Sequence, residues 1–562
     1  MVAQSAVDAH RIPDRMQQSV DPGDDRSRAT NRILDRLAAA GAFALVLGLL
    51  LPFLFTRLPP PAGHVPEPPL DRLARNVVSV MYDDGFYYLE IARNVAVGHG
   101  STFDGLHPTN GYHPLWLLVL VPVVGIAGSR EAALVGLFLL QAVLIAAAAV
   151  LVYRTARAFG ARPLASALAP LAFAQHQATY WMALSGMEYG LQCLLLCALG
   201  LGVAREGETA ATPRRVLTRG LLAALAVLAR LDNALLVALL GIEMHRRWAR
   251  GGARIATFLL PSALLVGGYL TVNLWLFGHA FPVSGLVKAD WSAELLARDS
   301  VARSHVAAKL ANFAWPFAHM PRSYLLLPCL GLGVALAILV VPPRALPGVQ
   351  RLRPLAAFAW LQVLAYAGIY HGGFSFQPWY FAVQPWLGAV ALGVGAEALL
   401  RATGGRRRTL ATAAAALALP GVAAILLALS ARNVGLERER QVLFIQGDPH
   451  YAAALWVRDH TPRDAVIGSW NAGLMATLSG RTVVNLDGLV NSWDFYRRRR
   501  QDPCRYWHEE RITLLVDVFD PGSPPGGAAA ASCASGLRSV WVGPAYSGSG
   551  RRAGAFLVPQ PR

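Results

Sequence analysis

Charge is scarce in this chain: 15% of its 562 residues are Asp, Glu, Lys or Arg, against about 25% in ordinary soluble domains. That shortage excludes a water-soluble enzyme of this length. Acids are scarcer than bases, 34 against 51, for a formal charge of +17. A basic surplus can serve nucleic acid, but here the arginines sit in short segments between apolar runs, where they act as topology signals. Nucleic-acid binding is therefore excluded. Cysteine is also rare: the five show no metal-ligand spacing, which excludes a thiolate metal centre. Cys193 and Cys197 share one apolar stretch and Cys329 lies in another, as small buried residues do. Cys504 and Cys533 fall in the last polar region, where an extracytoplasmic setting would allow a disulfide. No small-residue cleavage site follows the first apolar run, so that run is expected to stay as a membrane anchor.

What is present is apolar length. Hydrophobic residues make up 54% of the chain, in runs near the roughly 20 residues that cross a bilayer. Residues 1–36 are polar, without apolar periodicity, and read as a disordered cytoplasmic tail. The first span, Leu37 to Phe55, follows Arg26, Arg28, Arg32 and Arg36, which place the amino terminus inside. Residues 58–113 are then an outer loop. Residues 114–128 are apolar but, at about 1.5 Å per residue, too short to cross, so they read as a juxtamembrane or re-entrant helix. Further spans follow at 132–152, 164–184, 191–203, 255–276, 324–341, 355–370, 381–400 and 410–429.

Residues 220–244 start and finish beside arginines, so both ends belong inside. Two short helices meeting at Arg230-Leu231-Asp232-Asn233 satisfy this; one tilted span with a buried Arg-Asp pair is the alternative. With the broken pair counted as two, the chain has about eleven crossings. The α-helical membrane domain so defined covers 37–430. Residues 431–562 alternate an amphipathic helix with the strand-like runs AVIGS, TVVNLDG and ITLLVDVFD, as a small extracytoplasmic α/β domain does. Arg497 to Arg500 read as a solvated face of it, with an anionic acceptor as the less favoured use.

One segment between strongly apolar blocks is polar, aromatic and rich in histidine: MYDDGFYYLEIARNVAVGHGSTFDGLHPTNGYHPLW, residues 81–116. Asp83 and Asp84 open a helical stretch that breaks at Gly98 and Gly100 into a loop carrying Asp104, His107, Asn110 and His113. Adjacent carboxylates beside a membrane are costly when buried and mark function. The competing reading is a solvated helix cap.

Taken together, DDGFYYLEIARN, GHGSTFDG, TNGYHPLW, SGMEYG, ARLDN, FGHAFPVSGLVK and SGRTVVNLDG resemble bacterial members of the GT-C superfamily of membrane glycosyltransferases, over about residues 37–495. Relatives include protein O-mannosyltransferases, aminoarabinose transferases of lipid A and mycobacterial arabinofuranosyltransferases. The resemblance implies a many-helix fold, an essential Asp in the first outer loop, a sugar donor on a polyprenyl phosphate, inversion at the sugar carbon, and a site on the outer face of the bacterial plasma membrane. The acceptor is then a hydroxyl of an envelope glycan, lipid or protein. It also places a second acid at Glu188, to position the acceptor or, with Asp83, to hold a divalent cation such as Mg, Mn or Ca; a helix-end Glu bonded to backbone amides is the alternative.

An acceptor hydroxyl needs a carboxylate to take its proton, and Asp84 is preferred to Asp83 as that base. The departing lipid phosphate needs cations, for which Arg230, oriented by Asp232, and Lys288 are the candidates. His113 and Asn110 are candidates to hydrogen-bond substrate. Trp379 and Tyr380 in FQPWY read as a sugar-stacking platform or as interface anchors. A transporter or flippase of lipid-linked sugars also uses intramembrane charge and broken helices. It predicts paired internal repeats, which are not evident, and gives no reason for the external domain; a non-catalytic scaffold leaves the Asp pair without a role.

Overall fold

Helix ends in this chain are marked by proline, serine, threonine and glycine, and the computed structural model follows those marks. It describes residues 22–60, 67–175, 182–206, 212–247, 252–298, 326–342, 348–369, 377–402, 408–498, 502–520, 536–545 and 551–559. Helix α1 spans Pro22–Leu50 and runs on as a 3-10 turn to Phe55. It starts well before Leu37 because the Arg-, Leu- and Ala-rich residues ahead of the apolar run are themselves strong helix formers. The rest of the expected tail, residues 1–21, lies outside the described residues.

Helices α2 (Pro69–Val78), α3 (Asp83–Ala96) and α4 (Pro114–Ala127) are built from the segment expected as the first outer loop and the juxtamembrane helix after it. Pro114 opens α4, and Gly128, at φ 70°, closes it. Ser129 then caps α5 (Arg130–Ala158) by accepting the Ala132 N–H. The bundle continues through α6 (Pro163–Gln175), α7 (Tyr189–Ala204), α8 (Pro213–Ala229), α9 (Ala234–Arg247), α10 (Gly252–Phe277) and α11 (Val283–Arg298). Helices α12 (Leu326–Val340), α13 (Arg353–Ile369), α14 (Val383–Ala402) and α15 (Arg408–Gly447) complete it. Between α8 and α9 the helix breaks into a 3-10 turn over Leu231–Asn233, with Arg230 extended at φ −154°. The 220–244 segment is therefore two helices, not one tilted span.

Among the described residues, six helices are long and apolar enough to cross a membrane: Arg32–Phe55, Arg130–Ala158, Gly252–Phe277, Val349–Ile369, Val383–Ala402 and Ala418–Gly447. Four shorter apolar helices, α4, α6, α7 and α12, pack among them. Cys193 and Cys197 are buried and free, but Cys329 is exposed, on the apolar helix α12. Cys504 is disulfide-bonded, and Cys533 lies outside the described residues.

The α/β domain begins later than residue 431, because α15 runs unbroken to Gly447. Asp448 then caps α16 (Pro449–His460). The strands are β1 (Val466–Ser469), β2 (Thr482–Asn485), β3 (Leu514–Phe519), β4 (Arg538–Ala545) and β5 (Arg552–Leu557), in the order β2-β1-β3-β5-β4. β1 pairs in parallel with β2 and β3, and β5 is antiparallel to β3 and β4. Helix α17 (Ala472–Ser479) crosses over between β1 and β2; α18 (Trp493–Arg498) and α19 (Pro503–Glu509) follow β2. Arg497 and Arg498 pair with Asp494 and Glu509 at an exposed face, while residues 499 and 500 lie outside the described residues.

The domain is sewn to the first outer loop. Thr109 Oγ1 donates to the Asn491 carbonyl at 2.9 Å, Thr477 Oγ1 to Glu90 at 2.9 Å, and His107 sits between Asp104 (2.6 Å) and Glu510 (2.9 Å). Those two carboxylates offset the burial of His107 and raise it to about 10. Two glycines allow the approach: a Cβ on Gly473 would fall 2.3 Å from the Asp83 carbonyl oxygen, and one on Gly111 1.8 Å from that of Leu489. Loop and domain thus pack together at one end of the helix bundle. In a cysteine-free background, thiols introduced at Gly105 and Arg538 should both react with an impermeant maleimide on intact cells, while one at Arg246 stays protected; labelling of only one of the first two would contradict this packing.

Candidate active site

The first two residues of α3 point to different places, because successive helical positions diverge by about 100°. Asp84 faces a cleft lined by Tyr87, Tyr88, His113, Glu188, Arg230, Lys288, Trp379 and Tyr380, with Leu489 and Val490 of the α/β domain as its far wall. Asp83 turns away from that cleft and accepts the backbone N–H groups of Gly473 (3.2 Å) and Leu474 (2.7 Å). It thereby caps α17, whose own Asn471 makes no side-chain cap bond. Burial raises Asp83 to about 6, against the pull of the Leu474 N–H.

Arg230 lies at the break between α8 and α9 and is 3% exposed. It forms an ion pair with Glu188, a second with Asp232 at 3.1 Å, and a hydrogen bond to the Tyr366 hydroxyl at 3.4 Å. Its guanidinium carbon stands 3.8 Å over the centre of the Tyr380 ring. Glu188 precedes α7 and makes no cap bond to the helix; besides Arg230 it accepts the Tyr88 hydroxyl at 3.2 Å. Asp232 accepts the Gln362 amide at 2.9 Å. Lys288, on α11, donates to the Tyr380 hydroxyl at 2.9 Å. Burial works against its charge, yet Tyr380 and Asp84 hold the ammonium above its usual range.

The Asp84 carboxylate accepts no hydrogen bond among the described residues. Burial raises it, Lys288 pulls it down, and Glu188 pushes it up. His113 is neutral: burial takes it down to about 3, with Arg230 adding to the effect. Its Nε2 is 3.8 Å from Glu188, while its Nδ1 and the Trp379 Nε1 are buried without partners among the described residues. Buried polar atoms left open in a cleft are positions for a ligand to satisfy. The free volume is about 50 Å³, room for a few waters, so a sugar ring requires the walls to part.

Asp84, His113, Glu188, Arg230, Lys288, Trp379 and Tyr380 thus line one cleft, with Asp232 behind Arg230. Asn110 does not line it: its amide oxygen accepts the Val283 N–H (3.0 Å) and its nitrogen donates to the Phe281 carbonyl (3.1 Å), joining the two outer loops. Tyr380 is not an open stacking surface, since Arg230 covers its face. Asp83 and Glu188 do not converge as cation ligands; each is already engaged, and no group of three His, Cys, Asp or Glu among the described residues is placed to hold a metal. Three contributors lack a mark in the sequence pattern. Tyr88 links the His113 N–H to Glu188. Tyr87 donates to Asp487 at 3.3 Å, and burial raises Asp487 to about 8, with Asp84 adding to the effect. The NLDG turn after β2 is the signal that could have pointed to Asp487.

Residues 438–546 match a family described as a domain of unknown function, DUF8728. Among curated proteins, none matches the sequence. Solved structures share the fold, two of them as follows. One is ArnT from Cupriavidus metallidurans bound to undecaprenyl phosphate, at TM-score 0.52 and 14% identity, covering 86% of this chain and 95% of that one. The other is the Archaeoglobus fulgidus oligosaccharyltransferase in complex with Zn and sulfate, at TM-score 0.50 and 12% identity, covering 85% of this chain and 67% of that one. The chain has the GT-C fold, a polytopic helical membrane domain followed here by an α/β domain.

Because Asp83 holds the end of α17, Asp83→Ala should lower stability by about 1 kcal/mol, the usual loss for a helix cap. It should also expose the α/β domain to limited proteolysis. Asp84→Ala should do neither; a thermal melt and a protease time course of the two purified variants separate them.

Proposed function

We propose that this chain, on its GT-C fold, transfers a sugar from a polyprenyl-phosphate donor to an acceptor hydroxyl of an envelope glycan, lipid or protein. The transfer takes place on the outer face of the bacterial plasma membrane, with inversion at the sugar carbon. One observation carries the reading: Asp84, a carboxylate without a hydrogen-bond partner among the described residues, shares a cleft with two cations, Lys288 and Arg230. The ArnT structure, bound to undecaprenyl phosphate, supports the choice of a lipid-phosphate carrier.

In this reaction the acceptor oxygen attacks the sugar carbon from the face opposite the phosphate. As that bond forms, Asp84 takes the hydroxyl proton, and the bond to the lipid phosphate breaks with its electron pair on the phosphate oxygen. A single displacement inverts the carbon. Lys288 neutralises the developing phosphate charge, and an ammonium or guanidinium held in a water-poor cleft is most effective there. Arg230 is already committed to Glu188, Asp232 and the Tyr380 ring, so its role is to fix Tyr380 and through it Lys288, as well as to supply field. The open His113 Nδ1 and Trp379 Nε1 are positions for sugar or phosphate oxygens. No step is assigned to a divalent cation, because Asp83 and Glu188 are otherwise engaged.

Asp84→Asn keeps the size of the side chain but cannot accept a proton, so turnover should fall by about 100- to 10,000-fold with donor binding retained. Near-normal turnover with a polyprenyl-phosphate sugar would refute the base assignment. The pH profile gives a second check. Asp84 must be ionised and its acidity is weakened by burial, so the acid limb of turnover should lie above the ordinary carboxylate range near 4. Lys288 lowers Asp84; its removal in Lys288→Ala should move that limb to higher pH as well as weaken donor binding. An unmoved limb would separate the two residues.

A further inference from the structure

A second polar cavity lies at the other end of the bundle. Helix α7 starts beside Glu188 in the cleft and ends at Ala204, and its 16 residues span about 24 Å. At that far end a cavity of about 530 Å³ is lined by Asp35, Arg36, Tyr153, Arg154, Arg157, Arg205, Glu206 and Arg351, among others. All sit where helices of spanning or near-spanning apolar character begin or end: Arg36 near the start of the first, Arg154 and Arg157 at the close of α5, Arg205 just past α7, and Arg351 at the start of the Val349–Ile369 span.

The acids of this cavity are spent. Asp35 accepts Arg157 at 2.7 and 3.0 Å and the Tyr153 hydroxyl at 2.7 Å. Glu206 pairs with Arg219 and, at 3.5 Å, with Arg247. Arg351 donates to the Ala204 carbonyl at 3.4 Å. Arg36, Arg154 and Arg205 are exposed and have no partner among the described residues. A topology signal requires only that arginines lie on one side of the membrane; it does not require several more to face one concavity whose acids are already paired, where they repel one another. Beside Arg36 on α1, Leu34 and Leu37 are exposed by 47% and 63%, an apolar flank continuous with the charged rim.

We propose that this cavity binds the phosphodiester headgroup of an anionic membrane lipid, with Arg36, Arg154 and Arg205 as its ligands and the lipid's chains lying against α1. Guanidinium forks match phosphate oxygens two at a time, and basic pockets between membrane helices at the water boundary suit such headgroups. The site is separate from the cleft and does not rest on the sugar-transfer reading.

The full-length protein would be placed in phosphatidylcholine nanodiscs with and without phosphatidylglycerol, and lipid retention followed by native mass spectrometry alongside the melting temperature. Phosphatidylglycerol should be retained and should raise the melting temperature. The triple variant Arg36→Gln, Arg154→Gln, Arg205→Gln should lose affinity by about fivefold for each arginine removed, and the corresponding triple Lys variant, which keeps the charge, should recover part of it. Equal retention by wild type and Gln variant, or no preference over phosphatidylcholine, would overturn the proposal. So would an equal melting shift from inorganic phosphate alone, which would mark a site for free anions. Should the Gln variant fail to fold, the single variant Arg205→Gln reads the same loss on a smaller scale.

Discussion

A guanidinium buried among apolar helices persists only where its charge is answered, and the ion pair of Arg230 with Glu188 is the constraint on which the rest of this site depends. Glu188 is fully buried and Arg230 nearly so; removing one member of such a pair costs about 3–5 kcal/mol, since the other stays behind uncompensated. The extended residue at the break between α8 and α9 meets Glu188, Asp232 and the ring of Tyr380. Tyr380 in turn fixes Lys288, and Lys288 pulls Asp84 down against the burial that raises it. The cleft is therefore ordered from within the bundle outward, with the base as the last member of the sequence.

The α/β domain closes the same cleft from outside. Leu489 and Val490 form its wall, and the turn that carries them also holds Asp487 against Tyr87. Two carboxyls with raised affinity for protons, Asp84 and Asp487, thus lie near one another on opposite domains. Their mutual repulsion is kept tolerable by burial, which favours the neutral form of at least one.

Much of the site was legible because it rests on residue types that membranes rarely tolerate. Arg230 at the helix break and Lys288 in the following loop stood out as cations for a lipid phosphate, and Glu188 came from the family resemblance. The break at Arg230 followed from arginines at both ends of 220–244. What was not legible depends on contacts across the chain. The sequence prefers Asp84 as the base but leaves Asp83 a place in the same site; only the position of Gly473, some 390 residues away, assigns Asp83 to a helix end and leaves Asp84 to the cleft. Asn110 looked like a substrate ligand because it is polar and lies among histidines, yet it ties two loops together. The boundary near residue 431 was misplaced for another physical reason: α15 keeps its backbone period after its side chains turn polar, so a change of solvent along a helix resembles a change of domain.

The capping of α17 by Asp83 bears on how far the α/β domain is a portable module. The matched stretch, residues 438–546, contains the helix but not the acid that satisfies its first amides. Cut out by itself, it begins α17 with open N–H groups, presents Gly473 where the backbone of α3 had lain, and lacks the loop glycine that accommodates Leu489. An excised fragment is thus a fold with one face unfinished, and grafting it onto another membrane helix bundle would succeed only where the host supplies both a carboxylate and a side-chain-free surface at matching positions.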